Sequence, residues 1–181
     1  MLLSKEELER KKINFYNTNR GGDITFHGYG QIVGYPVFDL ENFYTDINMY
    51  LRALEQIVIS TLKFFKISSK RSPGETGVWL QPDDSSSRKI CAIGVKTSRW
   101  VTMHGFALNV NTDLRYYDYI IPCGIKGKGI TSINKEIKKE VSINEVKKKL
   151  LENIKKIFDA NLIFNVWKTI DNNVFFFWTH N

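Results

Sequence analysis

Cysteine is nearly absent: the chain has two, Cys91 and Cys123, in unlike local settings, which argues against a disulfide framework and for two reduced thiols. Histidine is also scarce. The three are far apart in sequence, and neither a CxxC nor an HExxH spacing occurs, so no metal site is expected. No apolar run approaches the roughly 18–20 residues that cross a bilayer, so no membrane span is expected either. The opening Met1-Leu2-Leu3-Ser4-Lys5-Glu6-Glu7-Leu8 carries charge where a secretory signal needs an apolar stretch, which points to the cytoplasm. Gly28-Tyr29-Gly30 lacks the third glycine of a dinucleotide fingerprint, and no Walker-type lysine follows it.

Positive charge is in excess, at +7 over 181 residues. It is concentrated between Lys126 and Lys156, much of it on one late helix, and such a run is usually a solvated face. Nucleic acid is not indicated. The electrostatic alternative is an acidic protein partner, whose encounter a positive surface speeds.

With no break in composition, residues 1–181 read as one domain. Lys5–Lys12 reads as a short charged helix, Ile13–Tyr16 and Asp23–Phe26 as short strands, and Gln31–Val37 as a strand stopped by Pro36 and Asp39. From Asn42 to Lys66, apolar residues recur at steps of three and four, which predicts a long amphipathic helix capped by Asn42. Val78–Gln81, Lys89–Lys96 and Trp100–Val110 predict an antiparallel meander with a tight loop at Thr97-Ser98-Arg99. Ser142-Ile143-Asn144-Glu145 has the capping-box pattern and opens a helix that closes near Ala160-Asn161. The aromatic tail 163–181 must be covered, by a last strand of this domain or by a partner. These elements predict an α+β domain with a mixed, largely antiparallel sheet flanked by helices.

Free cysteine usually packs as a small hydrophobe, and Cys91, inside a strand, reads that way. Cys123 stands between Pro122 and Gly124, where the backbone must bend, and so reads as a thiol displayed on a turn. At neutral pH a thiol of pKa about 8.5 needs a nearby cation or base to become a nucleophile. Lys89, Arg88 and Arg20 are the candidate cations, and His27 or His104 the default base.

Arg20-Gly21-Gly22-Asp23-Ile24-Thr25-Phe26-His27-Gly28, Gly30-Gln31, Tyr35-Pro36, Gly77-Val78-Trp79, Lys89-Ile90-Cys91-Ala92-Ile93-Gly94, Arg99 through Asn111, Asp113-Leu114 and Pro122-Cys123-Gly124-Ile125 occur in one order. Together they resemble the lipoyl(octanoyl) transferases, from about Leu3 to Leu162. The resemblance implies transfer of an octanoyl group from octanoyl-acyl carrier protein to a lysine of lipoyl domains, those of 2-oxoacid dehydrogenases and the glycine cleavage H protein, with no cofactor. It implies that Cys123 carries the acyl group as a thioester and that Lys89 lowers its pKa. It implies that substrate is contacted by Arg20, Gly21, Gly22, Asp23, Ile24, Thr25, Phe26 and His27, by Ala92, Ile93 and Gly94, and by Gly105, Phe106 and Ala107. The implied fold is that of the biotin and lipoate protein ligases. Two further readings stay open: an ATP-using ligase of that fold, and a binding-only remnant. Relative to the family, the chain starts close to the Arg-Gly-Gly motif, Tyr29 stands where proline is common, and the aromatic tail has no clear counterpart.

Overall fold

A computed structural model describes residues 2–120 and 128–160 and the backbone of 174–178. Chain order is α1 (Lys5–Arg10), β1 (Gln31–Val37), α2 (Ile47–Phe64), β2 (Lys70–Ser72), β3 (Glu75–Leu80), β4 (Arg88–Ser98), β5 (Val101–Asn109), β6 (Gly129–Ile130), α3 (Ile133–Ile137), α4 (Ile143–Phe158) and β7 (Val174–Trp178), with 3-10 turns at Leu40–Asn42 and Leu114–Tyr119. The strands form one sheet in the order β2-β3-β4-β5-β1-β7, with β6 added beside β4. Pairing is antiparallel from β2 through β5 to β1, and parallel for β1 with β7 and for β4 with β6. The sheet is therefore mixed and largely antiparallel, as the strand pattern predicts.

The meander is legible in the sequence, although its first strand starts three residues earlier than read, at Glu75, and its tight turn falls after Ser98. Its β4–β5 turn consists of Arg99 and Trp100, both at positive φ, the two-residue hairpin geometry that matches strand twist. The long helix is shorter than its periodicity suggests. Leu40–Asn42 forms a separate 3-10 turn, and α2 starts only after Asp46, whose carboxylate accepts from the Asn48 and Met49 N–H groups at 2.7 and 3.1 Å. Ile13–Tyr16 and Asp23–Phe26 are not strands: both lie in irregular backbone before β1. For the tail, the structure gives a last strand on this sheet, β7 beside β1, over Val174–Trp178.

α2 and α4 pack on one face of the sheet. Between them and the strands lies the core, with Tyr50, Leu54, Ile57, Val58 and Leu62 from α2 and Val146, Leu150, Ile154 and Phe158 from α4. From the sheet come Ile32, Val78, Leu80, Ile90, Cys91, Ile93, Val95, Phe106 and Leu108. Because strand side chains alternate, the intervening residues point to the other face. The sequence Trp79, Ala92, Gly94, Gly105, Ala107, Asn109, Gln31 and Val33 is thereby set on the side away from the helices.

One irregularity sits in this alternation. Val78 pairs with Cys91, whereas Trp79 pairs with Lys89, so β4 carries one extra residue at Ile90. Ile90 and Cys91 both enter the core, and Lys89 is moved to the face of Trp79. The bulge is braced from behind by Glu55 on α2, which is fully buried. Its Oε1 accepts from the Gly77 N–H at 3.1 Å, and its Oε2 takes Arg52 at 2.6 Å and Arg71 at 3.0 Å. Gly77 has φ +119°, and a Cβ there would lie 2.6 Å from the Cys91 carbonyl oxygen. Replacing Glu55 with Ala leaves the Gly77 N–H buried without an acceptor, and is expected to cost about 3 kcal/mol of stability in urea unfolding.

Candidate active site

The face away from the helices is floored by small residues. Ala92 pairs with Ala107 and Gly94 with Gly105, so the middle of β4 and β5 presents almost nothing beyond backbone. The segment before β1 lies across this floor. Gly21 N–H donates to the Val95 carbonyl at 3.1 Å, and a Cβ on Gly94 would sit 2.5 Å from the Gly21 carbonyl oxygen. Only glycine lets the two backbones approach this closely. Arg20 closes the loop on itself, donating through Nη1 to the Gly21 carbonyl at 3.0 Å and through Nη2 to the Asp23 carbonyl at 2.7 Å. Asp23 Oδ1 accepts from the Ile24 N–H at 2.6 Å, so this carboxylate shapes the turn. Ile24 and Thr25 are half-buried and carry the chain on to Phe26.

Lys89 lies at the β3 side of this floor. It is 6% exposed, and its Nζ stands 4.5 Å from the centre of the Trp79 ring. Lys128 approaches the same ring at 4.8 Å and donates to Glu75 Oε2 at 2.7 Å. Ser72 Oγ donates to that oxygen as well, also at 2.7 Å. Burial alone would raise the Glu75 pKa, but Lys128 and Ser72 outweigh it and hold the carboxyl below its usual range. Arg88, the neighbouring candidate cation, is committed elsewhere, gripping Glu136 of α3 with two bonds of 2.7 Å.

On the β1 side, polar groups from three segments meet. Gln31 and Asn109 pair across β1 and β5 and are both buried. Gln31 Nε2 donates to Asn109 Oδ1 at 2.9 Å and to the Phe26 carbonyl at 3.1 Å, and the Tyr117 hydroxyl donates to Asn109 Oδ1 at 3.2 Å. His27 Nδ1 meets Gln31 Oε1 at 2.9 Å. An amide oxygen only accepts, so this contact places the His27 proton on Nδ1 and leaves Nε2 as the basic nitrogen. Phe26 stacks on Tyr116, with ring centres 4.8 Å apart, and meets Tyr117 edge-on. The second histidine candidate, His104, has φ +63° and bonds Asn19 Oδ1 at 3.2 Å, tethering the same incoming segment further up.

The structure thus gathers Lys89, Ala92, Gly94, Gly105 and Ala107 with the Arg20–Gly22 loop on one face, and His27 near its β1 end. Ile93 and Phe106 send their side chains into the core, so only their backbone borders the floor. Cys91 is a packed core residue, as read from its strand, and burial pushes its thiol pKa up against the opposing charge of Lys89. Cys123 lies outside the described residues. Sequence reasoning passed over Trp79, Gln31, Asn109 and Tyr117 as site residues. The period-two alternation from Gly105 and Ala107 to Asn109 was a usable signal for one of them.

Burial, and to a lesser extent Arg20, lower the His27 pKa, against the raising effect of its bond to Gln31. An unfolded chain, with His near 6.5, therefore binds this proton before the folded one does. Stability is expected to fall as pH drops below about 6.5, and thermal melts should show the slope flattened in His27→Gln.

Residues 1–155 match the lipoyl protein ligase A/B catalytic domain. The octanoyltransferase of Christiangramia forsetii is 60% identical over 90% of this chain and 70% of its own length. That of Flavobacterium psychrophilum is 59% identical over 90% and 71%. In fold, a bipartite lipoate protein ligase from Thermoplasma acidophilum superposes with a TM-score of 0.65 at 17% identity, covering 87% of this chain and 63% of that one. Biotin protein ligase from Aquifex aeolicus gives 0.51 at 19% identity, covering 68% and 50%. The sheet, the helices on one face and these matches together establish that the chain belongs to the lipoyl protein ligase A/B catalytic-domain family, among its octanoyltransferases.

Proposed function

We propose that this protein transfers an octanoyl group from octanoyl-acyl carrier protein to the ε-amine of a lipoyl-domain lysine, through a thioester on Cys123, in the cytoplasm. The observation that carries this reading is the placement of Lys89. An amine is buried at the edge of a floor of Ala92, Gly94, Gly105 and Ala107, on the face covered by the Arg20–Gly22 loop. The strand that follows Cys123 in sequence supports it, since Gly129 and Ile130 pair with Arg88 and Lys89.

In the first half-reaction the Cys123 thiolate attacks the donor thioester carbonyl, a new C–S bond forms as the carrier's C–S bond breaks, and the carrier's sulfur leaves as thiol with the proton given up by the Lys89 ammonium. An ammonium at Lys89 favours the thiolate. In the second, the acceptor amine attacks the Cys123 thioester, the amide C–N bond forms and Cys123 leaves as thiolate. Lys89 as neutral amine takes the proton that the acceptor nitrogen loses. The small-residue floor gives an eight-carbon chain an apolar bed. The lipoyl acceptors are those of 2-oxoacid dehydrogenases and the glycine cleavage H protein.

Incubation with octanoyl-acyl carrier protein, without ATP, should add one octanoyl mass that hydroxylamine removes. Cys123→Ser should lose this adduct, and Lys89→Ala should slow transfer by about a hundredfold or more. A strict ATP requirement with free octanoate, or activity that survives Cys123→Ser, would indicate the ligase chemistry instead. Gly94→Ala, whose Cβ would displace Gly21, should lower the rate of octanoyl loading about 10–100-fold while the thermal melt stays cooperative.

A further inference from the structure

Thr131 stands directly after β6 and is fully buried, and each of its polar groups is engaged by a different element. Its N–H donates to the Lys89 carbonyl of β4 at 2.9 Å, its carbonyl accepts from Asn109 Nδ2 of β5 at 3.1 Å, and its hydroxyl meets Glu136 Oε1 of α3. Glu136 is fixed in turn by Arg88, whose Nε and Nη2 take its two oxygens at 2.7 Å each, and these bonds are the main cause that holds the carboxyl below its usual range. A carboxylate only accepts, so the Thr131 hydroxyl is the donor. These contacts bear on a strand of two residues, Gly129 and Ile130. Since β3 holds one edge of β4 at Arg88 and Lys89, β6 takes the other edge, which β5 has left at Asn109. Two ladder pairs that include a glycine specify register weakly, and the bonds of Thr131 add what the ladder lacks.

We propose that Thr131 is a positioning residue for acyl transfer: its hydroxyl, held by the Arg88–Glu136 pair, fixes the strand that follows Cys123 in sequence against the backbone of Lys89 and the side chain of Asn109. This inference rests on the acyl-transfer reading above and names the group that sets the register between the two segments the reaction uses. A thiol and an amine that serve one acyl group tolerate little error in their separation, and a misplacement of about 1 Å can cost roughly a hundredfold in rate. Through Asn109 the same residue is joined to Gln31 and His27, so Thr131 ties the β1 side of the floor to the strand that bears Lys89.

The test separates the hydroxyl from the volume of the side chain. Thr131→Val keeps the shape and removes the bond to Glu136, whose oxygens stay paired with Arg88, while Thr131→Ser keeps the hydroxyl. Single-turnover loading from octanoyl-acyl carrier protein should fall about 10–100-fold in Thr131→Val, with the donor concentration for half-maximal rate unchanged, and should return to within about threefold of the parent in Thr131→Ser. Backbone amide exchange at Gly129 and at position 131 should quicken in Thr131→Val and not in Thr131→Ser. Loading at the parental rate in Thr131→Val overturns the proposal, whether or not exchange quickens. Equal loss in Thr131→Val and Thr131→Ser overturns it as well, because volume and not the hydroxyl then decides. Should Thr131→Val lose its cooperative melt, Glu136→Gln decides: slowed loading at unchanged half-maximal concentration supports the proposal, and parental loading overturns it. A parent protein that loads no octanoyl group removes the acyl-transfer reading and the proposal together, whereas a parent that loads leaves the variants to judge Thr131 alone.

Discussion

The extra residue at Ile90 is the constraint from which the rest of this face follows. A strand without it would place Lys89 and Cys91 on the same side, and either the lysine would enter the core or the cysteine would leave it. With it, two consecutive apolar side chains fill the space under α2 and the ammonium emerges beside Trp79. The helix takes part: Glu55 reaches from α2 to the Gly77 N–H, so a fully buried carboxylate and two arginines fix the backbone opposite the bulge. The position of a candidate catalytic amine is thus set by a core residue on the far side of the sheet.

The remainder of the site is built largely by omission. Gly94 and Gly105 raise no side chain from the sheet: the Arg20–Gly22 loop takes the space a Cβ on Gly94 would fill, and Gly34 and Pro36 of β1 take that of Gly105. The polar cluster of Gln31, Asn109, Tyr117 and His27 lies on the β1 side, and the indole with its two lysines on the β3 side. The lysine-rich helix has little part in this. α4 turns Val146, Leu150, Ile154 and Phe158 to the core, on the face opposite the floor, so much of the net charge lies on a solvated surface away from the site.

The meander, the capped α4 and the strand Gln31–Val37 were legible because each is specified locally, by alternation, by helical period or by a capping residue. The start of α2 was not. Phe43 continues the apolar period through residues that fold as a 3-10 turn, and Asp46 competes better than Asn42 for the free N–H groups. Lys89 was legible as a basic residue at a strand start, but its face was not, because the bulge is a relation between β3 and β4 that neither strand encodes alone. The partnership of Asn109 with Gln31 was hidden for the same reason, since the two meet across 78 positions of sequence.

The parallel pairing of β7 with β1 makes the strand Gln31–Val37 an interior strand of the sheet. Outside β5 the strand Gln31–Val37 would otherwise show a row of unsatisfied amide and carbonyl groups, the template on which a second chain adds. By laying Val174–Trp178 along that row, the chain gives β1 a second partner, and the strand bearing Gln31 is held between two neighbours.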